Sequence, residues 1–252
     1  MTRAHGRWIT AALLGAAAVA LLAQLLVRET SVFGGGPRGP RGSSYAVGPT
    51  GLSKYAQLLR DHGHEVSRRR QPLDVDSALD PRDALVVLDA ASLSPQEGDA
   101  IARFVDAGGR AVVGGRDPQR WLPEVLPDGP TWVPGGQAAC RSLVHVAEDV
   151  GVTDVVLTSS GHWDAPGATL PFLACDGRIS ATVASPGEHG GRLVLLADSG
   201  PIQNAYLTAR DDTALGLGLV ADRHRVVFDE QVHGFSAPDG VGALPPRVQV
   251  AL

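Results

Sequence analysis

The stretch "DALVVLDAASLSPQEGDAIARFVDAGGRAVVGG", residues 83–115, constrains the fold more than any other part of the chain. It opens with a short apolar strand, "DALVVLD", and then offers Ser94 as a helix cap, Pro95 at the first helical position and acidic residues in the first turns. Ile101, Phe104 and Val105 share one face of that helix, a glycine pair stops it, and "RAVVGG" reads as a second strand. A strand, a helix and a strand in this order imply parallel neighbours joined by a right-handed crossover.

Flanking segments extend the pattern. "TGLSKYAQLLRDHGHEV" places Leu52, Tyr55, Ala56 and Leu59 at helical spacing between a Thr50 cap and a Gly63 stop, and "EVSRRR" suits a strand. "RLVLLAD", a helix-compatible segment from Ile202 to Leu219, and the strand "RVVFDE" complete a series that predicts an α/β fold, a three-layer, doubly wound, mostly parallel sheet over residues 45–235. Residues 116–190 interrupt it. Rich in Pro and Gly, with strand-like pieces at "VTDVVLTSS" and "GRISATVAS", they read as an irregular or β-rich insertion, and residues 236–252 as a C-terminal tail.

Ahead of the domain, Trp8 to Val27 carry no charge and only Thr10 and Gln24 as polar interruptions, a length that spans a hydrocarbon core of about 30 Å. The segment reads as a transmembrane helix, with a cleaved signal peptide as the alternative that its length and the "LLAQLLV" region disfavour. Arg3 and Arg7 place residues 1–7 in the cytoplasm and the domain outside, as a single-pass protein of the cell membrane. Residues 28–44, ending in "GGGPRGPRGSS", read as a flexible tether. A net charge of −5 with no basic block outside the N-terminal flanks argues against nucleic acid as a partner. Cys140 and Cys175 lack the spacing of a zinc site, so an extracytoplasmic disulfide is expected, against two unpaired buried thiols.

In sheets of this kind ligands bind beyond the carboxyl ends of the strands, which here means Asp89, Gly114, Gly115, Asp198, Ser199, Asp229 and Glu230. Asp198, Ser199, Glu230 and His233 are the candidates for catalysis in that crevice, while strand-end carboxylates more often bond the backbone of the following turn. The Glu230 and His233 spacing matches a helical metal pair, but "RVVF" is strand-like and Gly234 follows at once. His162, Asp164, Glu188 and His189 offer no recognisable second ligand set, so no metal and no cofactor are expected. Neither cysteine sits on a nucleophile elbow, "ADSGP" has one flanking glycine only, and no phosphate-binding glycine loop is present.

Three blocks, "GPTGLSKYAQLLRDHGHEV" (48–66), residues 83–115 and "RLVLLADSGPIQNAYLTARDDTALGLGLV" (192–220), closed by "RVVFDEQVHGF", together resemble domain of unknown function 4350, found in bacterial membrane proteins. The resemblance implies a domain like the class I glutamine amidotransferases, or flavodoxin-like, without a catalytic cysteine, anchored in the membrane and encoded beside MoxR-type AAA ATPases. It marks Asp198, Asn204, Asp211, Glu230, His233 and Gly234 as signature positions, and the chain departs from it in Asp212, where asparagine is usual. The expectation that follows is a non-catalytic interaction or ligand-sensing domain in a membrane-protein complex; the alternative is a hydrolase or transferase built on the strand-end Asp, Glu and His.

Overall fold

The computed structural model describes residues 39–74, 79–136, 139–157, 159–221 and 223–235. The apolar segment 8–27, most of the tether and the tail 236–252 lie outside the described residues. Among the described residues no helix is long and apolar enough to cross a membrane.

The strands are β1 (Glu65–Arg69), β2 (Ala84–Leu88), β3 (Arg110–Gly114), β4 (Thr131–Pro134), β5 (Ala139–Ser142), β6 (Asp154–Val156), β7 (Gly161–Asp164), β8 (Leu170–Cys175), β9 (Arg178–Ala184), β10 (Arg192–Leu196) and β11 (Arg225–Asp229). The helices are α1 (Ser53–Asp61), α2 (Pro95–Asp106), α3 (Leu122–Val125) and α4 (Asp212–Val220). One sheet runs in the order β1-β11-β2-β3-β10-β9-β8-β5-β6, with β7 pairing both β4 and β9. Its first five strands are mutually parallel, as the 83–115 unit requires, and every pairing from β10 onward is antiparallel.

This corrects the expected architecture. The protein is not a doubly wound, mostly parallel flavodoxin-like or amidotransferase-like sheet; it is a β-rich mixed sheet with few helices. The reason lies in residues 116–190, which contribute strands of three to seven residues and append them to the edge of β10. Pieces so short leave little periodicity to read.

Where the sheet is parallel it is covered on both faces, which is why β2 and β3 are buried at every position. Val86, Val112, Val194 and Phe228 pack with Leu52, just before α1, with Tyr55 and Leu59 of α1 and with Leu215 and Leu219 of α4. Their strand neighbours Leu85, Val87, Val113 and Leu195 point the other way, onto Ile101 and Phe104 of α2 and Trp121 of the turn before α3. Helix α2 starts as expected, at Ser94, whose side chain accepts from the N–H of Glu97 while the Glu97 carboxylate accepts from the N–H of Ser94. Helix α1 does not start at a threonine cap. Its first residue is Ser53, and Thr50 instead lends its carbonyl to the N–H of Gly42 at 3.1 Å.

A disulfide and two ion pairs tie the antiparallel part to itself and to the parallel strands. Cys140 and Cys175 face each other in register on β5 and β8 and form the disulfide. Glu148, fully buried, takes Arg110 Nη1 at 2.8 Å and Arg192 Nη2 at 2.7 Å, joining the turn after β5 to the starts of β3 and β10. Burial alone would raise the Glu148 carboxyl, but the two guanidinium groups hold it below the ordinary carboxylate range.

Candidate functional site

The carboxyl ends of β2, β10 and β11 deliver Asp89, Asp198 and Glu230 to one end of the parallel strands, where sequence reasoning placed the crevice. Residues 41–44, assigned in the sequence to the end of a tether, lie among these three carboxylates. Arg41 Nη2 donates to both Asp198 oxygens at 2.7 and 2.8 Å, and Arg41 Nε donates to Asp89 Oδ1 at 3.1 Å. Ser43 Oγ donates to Glu230 Oε2 at 2.6 Å, and the N–H of Ser44 donates to Glu230 Oε1 at 2.7 Å. Ser43, Ser44 and Glu230 are all fully buried. The segment is therefore part of the domain, held by the charge complementarity of one guanidinium against two carboxylates.

Gly42 sits at the closest approach. Its φ is +75°, and a Cβ there would lie 2.8 Å from both Asp89 Cβ and the Leu88 carbonyl oxygen. Only glycine meets both demands.

The four candidates for catalysis, Asp198, Ser199, Glu230 and His233, lie around this segment or one bond from it. Asp198 is spent: besides Arg41 it accepts from the N–H and Oγ of Ser160 at 2.9 and 2.5 Å and from the N–H of Gly200 at 2.7 Å. Ser199 is fully buried, donates its hydroxyl proton to Asp89 Oδ2 and accepts from Gln203 Nε2 at 2.8 Å. A hydroxyl without access to solvent and already bonded on both sides is not placed to attack a substrate. His233 closes a short 3-10 turn after β11; burial lowers its pKa, opposed by the Glu230 and Asp89 carboxylates and a bond with the Gly42 backbone. The imidazole thus lies against the same segment. Gly234 follows in the left-handed region, φ +84°, with open space around it, so its role is conformational.

The remaining signature positions bind loops. Asn204 donates to the carbonyls of Ala46 and Gly48 at 2.9 and 2.7 Å and accepts from the N–H of Lys54 at 2.8 Å, fixing the loop that leads from Ser44 into α1. Asp211 accepts from the N–H groups of Thr153 and Asp154 at 2.9 and 3.0 Å. Asp212 accepts from the N–H of Val156 at 3.1 Å, and burial pushes its carboxyl up to about 7.

Metal-ligating letters stay apart. His162 and Asp164 lie on β7, His189 turns its Nδ1 to the Asp106 carbonyl, and among the described residues no three His, Cys, Asp or Glu side chains gather closely enough to hold an ion. What sequence reasoning missed is the segment itself. Arg41, Ser43 and Ser44 stand in a Gly, Pro and Arg run with the composition of a linker, and no local pattern distinguishes them from one.

Beside Arg41, a pocket of about 270 Å³ opens between the loops that follow β2 and β3, lined by Asp89, Ala90, Arg116, Asp117 and Arg120 as well as Arg41.

Residues 44–220 match the family described as "Domain of unknown function (DUF4350)". No curated protein matches the chain. Among solved structures it is similar to the cytoplasmic protein STM1381 of Salmonella typhimurium LT2, at 16% identity and a TM-score of 0.48 over 73% of this chain and 87% of that one. It is also similar to the cytoplasmic protein STM3548 of Salmonella typhimurium, at 12% identity and 0.48 over 66% and 84%. An exo-beta-1,4-mannosidase of Opitutaceae bacterium strain TAV5 gives 13% identity and 0.47 over 68% and 31%. Likeness at this level carries no functional argument.

Proposed function

The chain belongs to the DUF4350 family, and from that premise we propose that it is a membrane-anchored protein whose extracytoplasmic domain is a non-catalytic interaction or ligand-sensing component of a membrane complex, working with a MoxR-type AAA ATPase system. One observation carries the non-catalytic part: residues 41–44 occupy the strand-end crevice and use the carboxylates that would otherwise do chemistry there. Glu230 and Asp198 are on this reading the anchors of a folded segment, and Ser199 the link between Asp89 and Gln203. The buried Cys140–Cys175 disulfide supports a location outside the reducing cytoplasm.

The second reading, a hydrolase or transferase, rests on Glu230, Asp89 and His233 lying close together. It requires residues 41–44 to leave the crevice.

Thermal and urea unfolding of the full chain in a neutral detergent separates the two. Glu230→Gln and Asp198→Asn remove acceptors from buried donors, and each is expected to lower stability by about 2 kcal/mol. Unchanged or increased stability in both would mean that the carboxylates are kept at a cost to the fold, and would sink the non-catalytic reading in favour of the second. Crosslinking in membranes followed by purification tests the company it keeps: an AAA ATPase or its membrane partners should be recovered with the wild-type chain.

A further inference from the structure

Two pockets lie at opposite ends of the parallel strands, and their charges are used differently. The one near the strand starts, about 380 Å³, is lined by Arg82 and Arg225, and both are matched: Arg82 pairs with Asp80 at 2.6 Å and Arg225 with Asp83. The pocket beside Arg41 is not balanced in this way. Both Asp89 oxygens are engaged, Oδ1 by Arg41 Nε and the N–H of Arg116 and Oδ2 by Ser199. Asp117 meets Arg120 Nε at 3.0 Å through one oxygen, which leaves the two terminal nitrogens of Arg120 free of that pair. Among the described residues the Arg116 side chain forms no hydrogen bond or ion pair, and Nη1 of Arg41, whose side chain is 23% exposed, has no hydrogen-bond partner.

The pocket therefore sets three guanidinium groups against an engaged Asp89 and the second oxygen of Asp117, a surplus of donors and of positive charge. An apolar ligand would leave those donors facing a desolvated surface, and a cationic one would meet three arginines. A planar or tetrahedral oxyanion satisfies them, because guanidinium forks match its oxygens two at a time. The position, beyond the carboxyl ends of β2 and β3, is where parallel strands commonly present ligands. Pockets for drug-sized molecules run from about 300 Å³ upward, so 270 Å³ suits a small group.

We propose that the pocket lined by Arg41, Arg116 and Arg120 is a binding site for a phosphate-class oxyanion, either a small phosphorylated molecule or a phospholipid headgroup. The assignment rests on the reading of a ligand-sensing domain and names the chemistry it would sense. Arg41 belongs to the fold as well as to the pocket, so occupancy of the site bears directly on the segment that closes the crevice. Arg116 and Arg120, both on the exposed rim, supply the recognition.

The test uses the full chain in a neutral detergent at constant ionic strength and follows thermal unfolding in two titrations. One adds inorganic phosphate against a chloride control; the other adds phosphatidic acid to the micelles against phosphatidylcholine. Wild type is compared with Arg116→Gln and with the double variant Arg116→Gln/Arg120→Gln. The arginines replaced have at most an exposed pair to lose, so the melting point without ligand should stay in place. Saturable stabilisation of the wild type, weakened at least tenfold in the double variant, upholds the site: a response to inorganic phosphate identifies a soluble ligand class, and a response to phosphatidic acid alone identifies a headgroup. No saturable response in either titration overturns it, as does a response that the double variant retains in full. If the double variant melts early, Arg116→Gln alone decides by the same two criteria. Failure here leaves the outcome for Glu230→Gln and Asp198→Asn untouched, and failure there does not alter binding at Arg116.

Discussion

At the end of β11, Asp229 accepts from the N–H of Gln231 at 3.0 Å through Oδ1, while its buried Oδ2 has no partner among the described residues. Glu97 at the start of α2 likewise has one buried oxygen, Oε1, without a partner. Burial pushes the Asp229 carboxyl up from 3.8 to about 7, with the nearby Glu97 charge adding to the rise. The sign follows from linkage. The folded state holds this proton more tightly than the unfolded one, so the stabilisation is fully present below about pH 4 and is lost as pH rises through about 7. Asp212, also raised to about 7, acts in the same direction. Asp229→Asn keeps an acceptor for Gln231 and cannot ionise. Its stability advantage over wild type in urea unfolding should grow between pH 4 and 7 and then level off, reaching on the order of 2–4 kcal/mol. A pH-independent difference would show that Asp229 titrates normally in the fold. Asp212→Asn would remove the same cost at a second site.

Among the elements, β5 to β9 depend on each other more than on helices. Strands of three or four residues such as β5 and β6 have little pairing of their own, and the Cys140–Cys175 bond joins β5 to β8 at a directly opposed pair. Closing a separation of 35 residues contributes about 3–4 kcal/mol in the loop-entropy model. Replacing both cysteines by serine should therefore lower the unfolding midpoint by several degrees or more. The loss should also be local: amides of β5, β6 and β8 should exchange faster with solvent, while those of β2 and β3 keep their protection. Uniform loss of protection across the whole sheet would contradict this division.

For the whole molecule, the decisive question is where the domain begins. Composition sets its start at residue 45, after the glycine and proline run, whereas the contacts of Arg41, Ser43 and Ser44 bring residues 41–44 into it and the compact unit begins at Gly39. A chain starting at residue 39 should fold cooperatively. One starting at residue 45 takes Arg41 from Asp198, which keeps Ser160 and Gly200, and takes Ser43 and Ser44 from Glu230; removal of one member of a buried charge pair typically costs about 3–5 kcal/mol. It should unfold at markedly lower temperature or fail to accumulate; equal melting of the two would show the segment to be dispensable.

The sequence alone determined the parallel unit at residues 83–115, the cap of α2, the strand-end positions of Asp89, Asp198 and Glu230, and the pairing of the only two cysteines. These features are written in periodicity, capping chemistry and counting, which act over a few neighbouring residues. Tertiary structure decided the rest. It joined β9 to β10 antiparallel and made the sheet mixed, brought Arg110 and Arg192 to Glu148, and drew residues 41–44 into the crevice. The side-chain contacts among these link positions from 38 to 187 residues apart, as between Arg110 and Glu148 or Ser43 and Glu230, and all of them depend on which strand edge is open and which buried charge lacks a partner. No local pattern along the chain records either, because both arise only when the sheet has closed.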